Sequence, residues 1–168
     1  RTAEHRKVAE NIGADLGIDA RRVAAGLIRK GRIAEDMGYI CPYTGMPYDI
    51  KDVQSKGVDL DHILPYSQRV SDSLDSLVLT YSEVNRMKGN RTALQFIREC
   101  GGQRVQGKGN LVILQEAAYK KLVNSLSPKG WHADDDRRRK CRIEKLLQLT
   151  AKESGMTPGL LTQTSYIT

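Results

Sequence analysis

The stretch DLDHILPYS, Asp59–Ser67, decides how the chain is read. Val58 and Leu60 alternate with Asp59 and Asp61, the period of a strand with one side turned to a core. His62 follows at the strand end, and Pro65 lies just beyond it. A second short strand is expected at Leu77–Tyr81, inside DSLDSLVLTYS. SEVNRMKGN then reads as a short helix, with Ser82 to cap it and Gly89-Asn90 to end it. A hairpin followed by a helix folds the strand end and the helix towards one point.

Outward from this centre the chain reads as helix on both sides. In HRKVAENIGADLGI the apolar residues Val8, Ile12 and Leu16 recur every four positions. A second helix is expected over DARRVAAGLIRKGRIAEDM, with Asp19 as its N-cap. CPYTGMPYD breaks the pattern with two prolines and a glycine and reads as a turn-rich connection. Beyond the centre, Thr92 caps ALQFIREC, and NLVILQEAAYKKLVNSL is an amphipathic helix stopped by Pro128. HADDDRRRKCRIEKLLQL carries acids in its first turn and bases behind them, which suits the helix dipole. The run Arg137–Lys140 therefore reads as a solvated helix face. The fold class is α+β, mostly α, with a small two-stranded centre flanked by helices.

The 168 residues suffice for one domain with a real core. Lys and Arg number 27 against 20 Asp and Glu, a net charge of +7 that points to a polyanionic partner, nucleic acid first. One Trp and one Phe are too few for a base-stacking platform on single strands. There is no internal repeat, signal peptide or apolar run of membrane length. Cys41, Cys100 and Cys141 are odd in number and far apart, which excludes a disulfide framework and a four-cysteine zinc site and fits free thiols. The chain starts at Arg1, already in helix-like sequence, and reads as a piece of a larger protein.

The chemistry centres on Asp61, His62 and Asn85. A hard divalent cation such as magnesium takes one or two oxygens from protein and leaves its other positions to water and phosphate. The Asp61 carboxylate and the Asn85 amide carbonyl meet that demand. His62 is then free to take a proton from water, and water attacks a phosphodiester in line. Each residue alone has a plainer explanation. A D-H pair at a strand end is more often a hydrogen-bonding pair, an Asn early in a helix more often caps backbone, and Asp59 more often faces solvent. Spacing, element order and charge agree only in combination.

DLDHILPYS followed by DSLDSLVLTYSEVNRMKGN resembles the HNH (ββα-metal) nuclease domain. More narrowly it resembles the HNH domain of the RNA-guided effector endonuclease of type II CRISPR systems. CPYTGMPYDIKDV resembles the segment before that family's first strand, and NRMKGNRTALQFI its run after the metal-binding Asn. RRKCRIEKLLQL…LLTQTSYIT resembles the family's helix and linker leading into its RuvC domain. The resemblance is strong from Cys41 to Ile97, weaker in the C-terminal stretch, and positional only in the N-terminal helices.

The resemblance implies a role for each matching residue. His62 falls at the general base, and Asp61 and Asn85 at the metal ligands. Lys88 falls where the family carries a Lys near the scissile phosphate, and is counted with His62 as catalytic. Asp59 falls at a supporting acidic position. Ser76 stands where the family has an Asn that steadies the His-bearing loop, and QTS stands where it tends to have D-T-R. Implied further are Mg2+, with Mn2+ able to substitute, and cleavage of the DNA target strand in a guide RNA–DNA heteroduplex. The guide RNA is held through the parent protein, which supplies sequence specificity by base pairing. The expected species is a monomer in the bacterial cytoplasm, without membrane contact.

The expected organisation is flanking helices over 1–40, the ββα-metal core over 41–100, C-terminal helices over 101–155 and a linker over 156–168. Two other functions fit the same residues: a homing- or restriction-type HNH endonuclease, and a catalytically inactive DNA-binding module.

Overall fold

β1 (Val58–His62) and β2 (Leu77–Tyr81) pair antiparallel, with Val58 opposite Tyr81, Asp61 opposite Val78 and His62 opposite Leu77. A lone two-stranded hairpin is marginal in water. This one is held because β2 is covered on both faces: Leu77 and Leu79 enter one apolar core and Val78 enters another. That explains why β2 opens with three successive apolar residues, Leu77–Leu79, while β1 alternates. The computed structural model describes residues 2–67, 69–126 and 136–151.

The first core is built by α1 (Ala3–Leu16), α2 (Ala25–Asp36) and α3 (Ile50–Gln54). Thr2 accepts a hydrogen bond from the His5 amide to cap α1, and Gly17 ends it in the left-handed conformation. Val8 and Ile12 point inward, and α2 crosses close above them at Gly31. A Cβ there would lie 2.7 Å from the Ile12 Cδ1, so only glycine permits this approach without a shift.

The expected helix from Asp19 onward is two pieces. Asp19 does cap, accepting from the Arg21 amide at 2.8 Å, but it caps a single 3-10 turn, Ala20–Arg22. Val23 is then extended and buried in the α1–α2 core, and α2 starts afresh at Ala25. Burial of the Val23 side chain overrides the helical period. α3 follows directly on the stretch read as a connection, whose last residue, Asp49, forms a reciprocal capping box with Asp52.

The second core joins the other face of the hairpin to α4 (Ser82–Lys88), α5 (Ala93–Cys100), α6 (Glu116–Ser125) and α7 (Asp136–Leu149). Thr92 caps α5 as expected, accepting from the Gln95 amide at 3.2 Å. Ser82 does not cap α4. It is the first helical residue, and its hydroxyl donates instead to the carbonyls of Lys56 and Gly57 at 2.8 and 3.3 Å. Gly89 ends α4 at φ 57, ψ −135, a conformation open to glycine.

The helix expected from Asn110 begins later. Residues up to Val112 belong to a second antiparallel pair, β3 (Arg104–Val105) with β4 (Lys108–Val112). Gly107 turns the chain at φ 88, and Leu111 and Ile113 are buried with the period of a strand. The glycines at 107 and 109 were the signal for this hairpin. Pro128, the acids Asp134 and Asp135, the tail QTSYIT and the linker over 156–168 lie outside the described residues.

α7 is not simply a solvated basic face. Arg138 reaches Glu4 at 3.1 Å and Glu35 and Asp36 at 3.4 Å, while Lys145 meets Asp36 at 2.7 Å with both side chains buried. Positions 138 and 145 are two turns apart on one stripe, which docks against the acids of α1 and α2. Arg139 and Lys140, off that stripe, are exposed as expected. The cysteines are free, as expected.

Candidate active site

Asp61 points from β1 into the second core and is 3% exposed. A buried carboxylate must be paired or hydrogen-bonded, and this one is both. Lys88 Nζ, from the last turn of α4, lies 3.1 Å from its Oδ1, and the Tyr43 hydroxyl donates to its Oδ2 at 2.5 Å. Lys88 Nζ also donates to the His62 carbonyl at 2.8 Å and lies 5.9 Å from the centre of the Tyr43 ring. Burial and the neighbouring Asp61 charge push the Tyr43 phenol well above its ordinary range, so it stays a donor.

Asn85 sits one turn before Lys88 on α4. Its Nδ2 donates to the Leu60 carbonyl at 3.0 Å, which fixes the planar amide and leaves Oδ1 on its other side. Three successive residues of β1 are thus tied to one helix: Leu60 through Asn85, Asp61 and His62 through Lys88.

The imidazole of His62 takes another direction, because successive strand residues face opposite ways. Its Nε2 lies 2.8 Å from Asp72 Oδ1, and the Tyr66 ring packs edge-on with centroids 5.4 Å apart. The loop between the strands carries both partners and is itself anchored. Arg69 donates to Gln148 of α7 at 2.7 Å and pairs with Asp75 at 3.4 Å, and Arg29 of α2 donates to the Asp72 carbonyl. Ser76 donates from its hydroxyl to the carbonyls of Ser71 at 3.1 Å and Ser73 at 2.6 Å. Asp59 is half exposed and pairs with Lys30 of α2 at 3.3 Å, away from the Asp61 cluster.

Of the residues picked out in the sequence, Asp61, Lys88, Asn85 and the His62 backbone converge. Ser76 braces the loop, and Asp59 stands apart. Tyr43, Tyr66 and Asp72 were missed. Tyr43 lies in a segment that carried only a turn signal, and Asp72 in a loop with no periodicity to interpret.

The geometry defines a ββα unit in which α4 ties a buried acid, Asp61, and an amide, Asn85, to β1, while the His62 imidazole faces the loop between the strands. Residues 41–94 match the HNH endonuclease family model, and they form an HNH endonuclease domain. That domain is related to the HNH domain of Cas9, the type II CRISPR effector. CRISPR-associated endonuclease Cas9 1 of Streptococcus thermophilus is 41% identical over 73 residues, covering 42% of this chain. Cas9 of Campylobacter jejuni is 35% identical over 69 residues, covering 40% of it. The chain spans only 6% and 7% of the length of these relatives. The solved structure of Streptococcus thermophilus Cas9 in complex with the AGAA PAM superposes with a TM-score of 0.63 at 22% identity, over 92% of this chain and 14% of that one. The type II-C Cas9 of Actinomyces naeslundii gives 0.58 at 18%, over 90% and 16%. The likeness in fold therefore reaches well beyond the matched segment.

HNH nucleases are metal-dependent. Among the described residues there is no cluster of three His, Cys, Asp or Glu side chains. The available donors are oxygens, the Asp61 carboxylate and the Asn85 carbonyl, which suit a hard cation that keeps most of its water. A carboxylate offers about four lone-pair directions, and Lys88 and Tyr43 use two contacts to it. The donor set fits such an ion, which would share Asp61 with the Lys88 ammonium. No helix among the described residues is long and apolar enough to cross a membrane.

Proposed function

We propose that this chain is the metal-dependent endonuclease domain of a guide-RNA-directed enzyme. It hydrolyses a phosphodiester in the DNA strand paired with the guide. One observation carries the reading: Asn85 and Lys88 on one helix bind the Leu60 and His62 carbonyls and the Asp61 carboxylate. An oxygen donor pair and a histidine are thereby held on one small rigid unit, as a hydrolytic site requires. The names of the curated relatives, CRISPR-associated endonucleases, support the same reading.

In this reading His62 takes the proton from the attacking water. Asp61 and Asn85 would hold Mg2+, or Mn2+ in its place. Such an ion, when bound, stabilises charge on the phosphate and on the leaving oxygen. Lys88 holds Asp61 and the His62 backbone in register and brings a positive charge to the site. Ser76 orders the His62 loop, and Asp59 supports the strand through Lys30. The basic surface tracks phosphate without reading bases, while pairing to the guide RNA supplies sequence choice. The domain works as a monomer within its parent in the bacterial cytoplasm. Residues 41–100 form the catalytic core, flanked by the helices within 1–40 on one side and by the β3–β4 hairpin, α6 and α7 on the other.

A second reading, a DNA-binding module without activity, is favoured by the pairing of Asp61 with Lys88. Plasmid nicking separates the two. Nicking that requires added Mg2+ or Mn2+ and vanishes in His62→Ala supports the nuclease. DNA binding that ignores metal, with no nicking, supports the module. Asp61→Ala should weaken Mn2+ binding read by electron paramagnetic resonance, and unchanged binding removes Asp61 from the ligand set.

A further inference from the structure

We propose that Asp72 is the positioning residue for His62. Its carboxylate holds the imidazole with the proton on Nε2 and leaves Nδ1 as the nitrogen that accepts a proton. This rests on the reading of His62 as the general base and names the group that prepares it.

The Nε2 of His62 and Oδ1 of Asp72 are 2.8 Å apart. An ionised carboxylate only accepts hydrogen bonds, so the contact requires Nε2 to carry the proton. A neutral imidazole has one bare nitrogen, and here it is Nδ1. The ring is also held sideways, since Tyr66 packs against it edge-on at 69° between planes. Its side chain remains 30% exposed, so water can reach the ring.

Asp72 is itself restrained, although its side chain is 68% exposed. Arg29 donates to its carbonyl, fastening this point of the loop to α2. On either side, Ser71 and Ser73 share a hydroxyl hydrogen bond at 2.7 Å, and their carbonyls both receive the Ser76 hydroxyl. These contacts place an acceptor beside Nε2 before any substrate arrives. A carboxylate held behind an imidazole fixes the ring's orientation and tautomer.

The test is NMR of the 168-residue chain labelled at histidine, without DNA or metal, at a pH where the ring is neutral. In the unmodified chain, His62 should show Nε2 in the protonated range, Nδ1 in the bare range and an ordered ring. In Asp72→Ala the ring order parameter should fall from the rigid to the flexible range, roughly 0.85 to below 0.6. Asp72→Glu, which keeps the acceptor, should recover most of that order. Single-turnover DNA cleavage should fall by roughly ten- to a hundredfold in Asp72→Ala, as when an orienting outer partner is lost, while DNA affinity stays within a factor of two or so. A ring equally ordered, with unmoved nitrogen shifts, in Asp72→Ala overturns the proposal. The nuclease reading fails separately, by cleavage that survives His62→Ala, and the NMR result then still decides whether Asp72 positions the ring.

Discussion

Lys88 Nζ lies 3.1 Å from Asp61 Oδ1, with the two side chains 1% and 3% exposed. A buried ion pair of this kind adds little net stability over an apolar pair, but losing one partner leaves a naked charge in the core. Lys88→Met should therefore cost about 3–5 kcal/mol, read from urea unfolding. Lys88→Met combined with Asp61→Leu should recover a large part of that loss. Magnesium should raise the unfolding midpoint of Lys88→Met more than that of the unmodified chain, because a cation can replace the missing ammonium. A loss below about 1 kcal/mol in Lys88→Met would mean that Tyr43 and water satisfy Asp61 unaided.

The attachment of α7 makes a second prediction. Asp36 is 2% exposed and holds Lys145, which is fully buried, at 2.7 Å. Arg138 can still use Glu4 and Glu35 when Asp36 is removed, but no ion pair other than that with Asp36 joins Lys145 among the described residues. Asp36→Ala should thus destabilise by about 3–5 kcal/mol, whereas Glu35→Ala, at a more exposed pair, should cost about 1 kcal/mol or less. Hydrogen exchange of the α7 amides should quicken in Asp36→Ala first. Equal effects from the two substitutions would show that the network acts as a diffuse field and not through the Asp36–Lys145 contact.

How far the sequence could be read follows from these same residues. The hairpin and α4 were legible because β1 alternates, because β2 opens with the compact apolar run Leu77–Leu79, and because Gly89 ends the helix. Asp61, His62 and Asn85 were picked out because their chemistry and spacing agree, and the structure ties Asp61 and Asn85 into the β1–α4 contact while the His62 ring faces Asp72. What escaped is set by distance along the chain. The Tyr43–Asp61, Asp72–His62 and Lys145–Asp36 contacts join positions whose local sequence carries no trace of the partner. Arg138 was misjudged for that reason: a basic run looks solvated until the acids of α1 and α2 are brought beside it. β4 escaped because Leu111 and Ile113 fit either period once the glycines before them are ignored.

Cys141 offers a pH-dependent check on packing between α7 and the rest. Burial pushes its thiol up to about 11, against an ordinary 9.0, with the positive charge of Lys145 opposing the shift. A thiol with a raised value is protonated at neutral pH and is a poor nucleophile. At pH 7.5 it should carry roughly a hundredfold less thiolate than an ordinary cysteine. Alkylation by iodoacetamide should be correspondingly slow and should accelerate as pH climbs from 9 towards 11. Reaction at the rate of a small free thiol at pH 7.5 would show that α7 does not stay docked.

Ser76 makes the last prediction, at the position where the chain departs from the family it resembles. Its hydroxyl carries one proton, and the Ser71 and Ser73 carbonyls lie 3.1 and 2.6 Å away. The shorter contact takes the proton best, and the longer is at most shared. Ser76 is 3% exposed, so water cannot easily replace the hydroxyl. Its expected role is therefore to steady the backbone on both sides of Asp72 without taking part in the chemistry. Ser76→Ala should lose about one net hydrogen bond, near 1 kcal/mol, and slow cleavage by about tenfold or less. Ser76→Asn offers more donors but a larger side chain at a buried site, where volume is resisted. It should keep activity at or above that of the unmodified chain only if the loop opens to accept it. His62→Ala should abolish cleavage. Single-turnover cleavage of a DNA duplex by the three variants measures this directly, with ring order at His62 as the companion reading. Ser76→Ala as inactive as His62→Ala would put Ser76 in the reaction centre and overturn its assignment to the loop.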